Sequence, residues 1–176
     1  PFLGASLSVG RLCTTCEGVF ANVSFKDGDA VNAFAAMMLE VEKMKRFGFT
    51  DGEVERAKAK IMSHYERAVE AAPTRKNADF VRPLLNAFYH NESYMDPETE
   101  LQVAQMICSQ LNAAMLSQIA ASMITDENMV VLYNGPEKEG LVNPTEEELA
   151  AVITAVKNAE IEANVEEAVN EPLISK

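Results

Sequence analysis

Residues 5 to 9 alternate Ala, Ser, Leu, Ser and Val, and residues 19 to 25 read Val-Phe-Ala-Asn-Val-Ser-Phe. In the second run Val19, Ala21, Val23 and Phe25 share one face, and Phe20, Asn22 and Ser24 share the other. A period of two is that of a half-buried strand. Lys26-Asp27-Gly28-Asp29 then turns the chain, with Asp29 placed to cap the next element. From Ala30 to Phe47 the period lengthens to about 3.6 residues. Val31, Phe34, Met38, Val41 and Lys45, with the neighbouring pair Ala35 and Met37, form the heavy face of a helix, Met44 and Phe47 extend it, and Glu40, Glu42, Lys43 and Arg46 fall outward.

Gly48 stops that helix, because glycine tolerates the positive φ of a helix end. Thr50 and Glu53 then stand in capping-box register and open a second helix. Its stripe is Val54, Ala57, Ile61, Tyr65 and Ala68, and Pro73 ends it. A third helix is expected over roughly Asp79 to Tyr89, with Pro83 close to its first turn. Asp96-Pro97 starts a fourth, with Asp as cap and Pro at the first helical position. Asn112 is placed to open a further helix through Leu116, Ile119, Ala120 and Met123. Met129-Val130-Val131-Leu132-Tyr133 reads as a strand closed by Asn134-Gly135-Pro136. Thr145 with Glu148 caps a last helix carrying Leu149, Val152, Ile153 and Val156.

The order is strand, strand, four or five helices, strand. This predicts an α+β fold in which an antiparallel or mixed sheet is covered by several long helices. An evenly repeated β-α-β pattern, which would signal a doubly wound fold, is missing. Three strands are few for this many apolar helical faces, so further strands are expected upstream of Pro1. Residues 1–140 are expected to form this domain, truncated at its N-terminus, and residues 141–176 an acidic helical connector toward a following domain.

Composition narrows the classes. Of 176 residues, 48% are apolar, with 8 Phe and 9 Met, which fits a folded core. No apolar run reaches the roughly 18 residues needed to span a bilayer. Pro1-Phe2-Leu3-Gly4 has neither an initiator Met nor a signal-peptide pattern, so the chain is expected to begin inside a longer protein or after processing. Its compartment is unassigned. Net charge is −12, from 27 acids and 15 bases. Residues 136–176 hold ten acids against three bases, a net of −7. A polyanion is repelled, and nucleic acid is not an expected partner.

Candidate chemistry is sparse. Cys13-Thr14-Thr15-Cys16 reads as CxxC, but strand-like residues flank it on both sides, from Gly4 to Leu12 and from Gly18 to Phe25. A thioredoxin-like site would put the pair at a helix N-terminus. Zinc would require a second ligand pair, which Cys108, His64 and His90 do not supply at a recognisable spacing. The pair therefore reads first as turn thiols, with a disulfide or a redox or metal pair as alternatives. His64 lacks an HxxxH, HxxEH or HExxH partner, and His90 sits at a helix end, where a positive group suits the dipole. Glu146, Glu147 and Glu148 fan around a helix start and read as dipole-favouring charges, not paired catalytic carboxylates. No GxSxG elbow or phosphate-binding loop is present. No catalytic, cofactor-binding or metal residue is assigned.

The run Phe47-Gly48-Phe49-Thr50-Asp51-Gly52-Glu53-Val54-Glu55-Arg56-Ala57-Lys58 resembles a stretch of the insulinase/pitrilysin-type zinc metallopeptidases. Met129 to Pro136 is similar to a late strand of the same non-metal-binding domain, and Leu149 to Ile174, ending Asn170-Glu171-Pro172-Leu173-Ile174, to the linker between halves in bacterial members. The resemblance implies a large enzyme of repeated α+β domains whose two halves close around a peptide substrate. Its zinc motif, HxxEH with a downstream Glu, belongs to the first domain, and neither element occurs here. Zinc is thus implied for the parent and no cofactor for this segment, whose partners would be the upstream catalytic domain and the downstream second half. The segment alone is expected to be inactive, forming chamber wall and scaffold. The alternatives are a non-catalytic partner or peptide-binding interaction module of the same fold, and a small enzyme using Cys13 and Cys16.

Overall fold

The two alternating runs form one antiparallel hairpin, β1 (Phe2–Cys13) and β2 (Cys16–Phe25), joined through Thr14 and Thr15. The structure is a computed structural model and describes residues 2–165. Opposed pairs include Ala5 with Val23, Leu7 with Ala21 and Val9 with Val19, which gather the apolar positions on one face. Ser6 with Asn22, Ser8 with Phe20 and Gly10 with Gly18 make the other face small and polar around one aromatic ring. A Cβ on Gly10 or Gly18 would meet that Phe20 ring at 3.7 and 3.8 Å, so the ring lies closely over the two glycines. Register shifts near each end of the ladder, between Phe2 and Gly4 and between Arg11 and Cys13, mark irregularities of the β-bulge kind.

Helix α1 (Ala30–Phe47) packs against β2 and against the last helix, α6 (Glu146–Lys157). Its buried residues are Ala30, Ala33 and Phe34, with Ala33 at 0% exposure, and Val156 is buried on α6. Small side chains at Ala30 and Ala33 allow close approach, and Phe34 supplies the bulk. The chain divides into two compact units. One holds the hairpin, α1, α6 and nearly all of α5 (Ala113–Met123), and the other runs from Thr50 to Ala113.

The second unit starts at α2 (Asp51–Ala71), capped as its sequence predicts. Thr50 Oγ1 accepts the Glu53 amide at 3.2 Å, and Glu53 Oε2 accepts the Thr50 amide at 2.8 Å. A 3-10 turn, Ala72–Thr74, follows at Pro73. The next helices are α3 (Asn77–His90) and α4 (Pro97–Gln110), and α4 packs on α2. The buried residues Val54, Ala104 and Cys108 lie on these two helices. Asp96 caps α4 by accepting the amides of Glu98 at 3.1 Å and Thr99 at 3.0 Å.

Three expectations are corrected. Asp29 occupies the position before α1 without a side-chain capping bond, and its backbone amide instead closes the turn onto the Lys26 carbonyl at 3.0 Å. Helix α3 begins at Asn77, so Pro83 lies in its interior. The proline removes the amide that would bond to Asp79, but Asp79 is exposed and water can take its carbonyl. Met129–Tyr133 has no regular secondary structure and joins no ladder; the sheet pairs β1 with β2. The alternation itself is real. Val130 and Leu132 are 78% and 91% exposed, while Tyr133 is half-buried, stacks on Phe25 at 6.2 Å and donates its hydroxyl to Asn143 at 2.8 Å. The acidic pair Glu166 and Glu167 and the run Asn170 to Ile174 lie outside the described residues.

Gly48 ends α1 with φ 69° and ψ −143°, and a Cβ there would run into the Ser117 side chain. Ser117 Oγ in turn accepts the Phe49 amide at 2.9 Å. Replacing Gly48→Ala adds backbone strain and overlap together, an expected loss of about 2–4 kcal/mol. Ser117→Ala, which forfeits the bond from the Phe49 amide, costs about 1 kcal/mol. Urea midpoints of the two variants check this order, and a wild-type midpoint for Gly48→Ala contradicts the junction as described.

Candidate functional site

The reactive side chains are spread over separate elements. Cys13 and Cys16 oppose each other at the hairpin end, both exposed and both free thiols. Hydrogen bonds from the Thr15 backbone and then its side chain hold the Cys13 thiol below its ordinary pKa, and Thr15 Oγ1 lies 3.7 Å from Cys13 Sγ. Arg11 and Glu17 form an ion pair at 3.1 Å across the adjacent part of the ladder. Cys108 is buried on α4. His64 is exposed on α2 with its ring edge-on to Tyr65, and His90 is the last residue of α3.

Glu146, Glu147 and Glu148 occupy the first turn of α6. The Glu147 carboxyl is held below the usual carboxylate range by its own backbone amide and then by the Thr145 hydroxyl. Glu148 completes the box, accepting the Thr145 amide at 2.9 Å while Thr145 accepts the Glu148 amide at 3.2 Å. These contacts belong to a helix start. Among the described residues no group of three or more His, Cys, Asp and Glu side chains is placed to hold a metal ion. Two thiols at one turn and histidines on separate helices do not bring together the four ligands that a structural zinc site takes.

The sequence reading missed a latch between α1 and α6. Arg46 donates to the carbonyls of Lys157 at 2.8 Å and Ala159 at 2.9 Å, and its Nε donates to Glu42 at 2.7 Å. A cation thus satisfies carbonyls at the C-terminal end of α6, where the helix dipole is negative. Beside it Asp126 accepts from Lys45 at 3.2 Å and pairs with Lys157 at 3.3 Å. The Lys45 hydrogen bond, then that of Lys157, lowers the Asp126 pKa. The bonds that Lys45 and Arg46 make beyond α1 span 81 to 113 positions in sequence, and no local pattern announces such pairs.

The hairpin surface is the remaining candidate. Strand β1 is exposed along nearly its whole length, with Leu3 at 67% and Leu12 at 71%. Among the described residues no helix is long and apolar enough to cross a membrane.

No protein-family profile matches the chain, and no curated protein matches it. Solved structures do. The first half of the periplasmic protease PqqL from Escherichia coli superposes with a TM-score of 0.73 at 15% identity, over 93% of this chain and 35% of that one. The whole of PqqL gives 0.78 at 18% identity, over 99% of this chain and 19% of that protein. A mutant of the ferredoxin protease FusC, solved with Arabidopsis ferredoxin, gives 0.66 at 16% identity, over 98% and 19%. The fold is therefore an α+β fold found within these proteases, and the chain spans about a fifth of their full length.

The latch responds to pH in a defined direction. A carboxyl with a depressed folded pKa contributes stability that is complete above the ordinary aspartate value of about 3.9 and is lost as pH falls through the lower folded value. Asp126→Asn should therefore lower the melting temperature slightly at pH 7. The gap should shrink in strong acid and in about 1 M salt, where screening acts over about 3 Å. Thermal melts across pH and salt check this, and a gap constant down to the acid limit contradicts it.

Proposed function

We propose that the chain is a wall and scaffold segment of a larger zinc-dependent metalloendopeptidase that hydrolyses peptide bonds. In this reading no residue from 1 to 176 takes part in the chemistry. The zinc, its ligands and the general base sit in an upstream catalytic domain. Residues 1–140 form an accessory α+β domain, and residues 141–176 lead toward a second half. The peptide substrate is a partner of the assembled enzyme. The insulinase/pitrilysin-like run from Phe47 to Lys58 and the fold shared with periplasmic proteases both support this reading.

The observation that carries it is the hairpin. Two strands of 12 and 10 residues pair only with each other among the described residues, and the apolar side chains Phe2, Leu3, Leu7, Val9 and Leu12 are exposed on β1. An isolated two-stranded ribbon is marginally stable, and a long apolar edge invites pairing with further chain. A sheet of this form suits a portion of a larger layer. The face with Ser6, Ser8, Asn22 and Ser24 around the Phe20 ring offers short polar groups suited to a wetted chamber wall.

Two assays on the purified 176-residue chain test the proposal. Metal analysis after dialysis should find no tight stoichiometric zinc, and an unstructured peptide should remain uncut. Stoichiometric zinc, or hydrolysis abolished by a substitution within residues 1–176, would overturn it.

A further inference from the structure

Directly opposed residues of an antiparallel pair have Cα atoms about 4.5–5.5 Å apart, and a disulfide spans Cα separations of about 4.4–6.8 Å. Cys13 and Cys16 are such a pair, at the end of the β1–β2 ladder. Both thiols are exposed and free, so a reagent in solution reaches either one. The Arg11–Glu17 ion pair ties the two strands together just before the turn. No helix cap or ion pair consumes either sulfur, and the proposed peptidase function does not use them. The geometry points to a dithiol modification site in which Cys13 and Cys16 exchange with small disulfides of the glutathione class and close a reversible bond across the turn.

The exchange proceeds in two balanced steps. The Cys13 thiol gives up its proton, and its sulfur attacks one sulfur of the small disulfide RSSR. The S–S bond of RSSR breaks, one RS⁻ leaves and takes up a proton, and Cys13 carries the mixed disulfide. Cys16 then loses its proton, and its sulfur attacks Cys13 Sγ. The mixed bond breaks, the second RS⁻ leaves and is protonated, and Cys13–Cys16 is closed. The two protein thiols are oxidised by two electrons, and one RSSR is reduced to two RSH. Cys13 attacks first because the hydrogen bonds from Thr15 favour its thiolate. The ring encloses only the turn, so the bond constrains the unfolded chain little. Its state follows the redox balance of the surroundings, not the stability of the fold.

The full 176-residue chain, equilibrated with set ratios of reduced to oxidised glutathione, acid-quenched, alkylated and cut with trypsin, tests this directly. Trypsin leaves both cysteines in one peptide, Leu12 to Lys26. With rising oxidised glutathione that peptide should appear without alkyl groups and two hydrogens lighter than its free dithiol form, and reduced glutathione should restore the doubly alkylated peptide. Cys16→Ser should halt the reaction at a glutathione adduct on Cys13, and Cys13→Ser should slow the first exchange severalfold. Thiols that stay alkylatable at the most oxidising ratio overturn the proposal. So do stable adducts on both cysteines of the unaltered chain, or disulfide-linked dimers in place of the internal bond.

Discussion

The first unit depends on a missing side chain at position 48. Helix α1 must stop where the Ser117 hydroxyl can reach the Phe49 amide, and the backbone makes that stop with positive φ. Glycine alone meets both demands, since a Cβ would be strained by the dihedral and would strike Ser117. Because α1 packs on both β2 and α6, the place where it ends fixes what those contacts can be. The Arg46 guanidinium on its last turn meets the end of α6, and Lys45 beside it meets Asp126. The next residue after Phe49 opens the second unit through the Thr50–Glu53 box. One short run thus ends the first unit's N-terminal segment and starts the second unit.

The helices were legible in the sequence wherever their signals are local. The Thr50–Glu53 and Thr145–Glu148 boxes and the Asp96-Pro97 start place every participating atom within four residues, so spacing alone decides them. The two strands were legible because their alternation is local and Cys13 to Cys16 lies in the connection between them, whereas their pairing with each other comes from the structure. Legibility ended where a distant partner decides. Met129–Tyr133 has strand-like alternation, but a strand also needs a ladder, and the sequence does not say which edge would receive it. Asp29 has the right identity for a cap, but the turn through Gly28, with φ 87°, leaves its side chain without the bond. The latch from α1 to α6 was invisible because its residues meet only once the unit has folded.

The candidate chemistry was legible mainly as a dispersal. Spacing separated His64, His90 and Cys108 from one another, and in the structure they lie on α2, α3 and α4. The acidic start of α6 has the hydrogen bonds of a helix cap. What spacing could not supply is the direct opposition of Cys13 and Cys16 across the ladder, which comes from register and not from the CxxC pattern. A chain so arranged has well-defined helix starts, an exposed sheet and scattered reactive groups. The proposed role as a supporting segment rests on that combination, read together with the fold it shares with parts of larger proteases.

The central claim is that this sheet is part of a larger one. Amide hydrogen exchange along β1, measured in the isolated chain and again in the longer polypeptide proposed to contain it, tests that claim most directly. Alternate amides of Phe2–Cys13 that point away from β2 should exchange rapidly in the isolated chain. In the longer polypeptide they should become protected together, as a new strand takes the edge. Equal exchange of those amides in both would contradict the account.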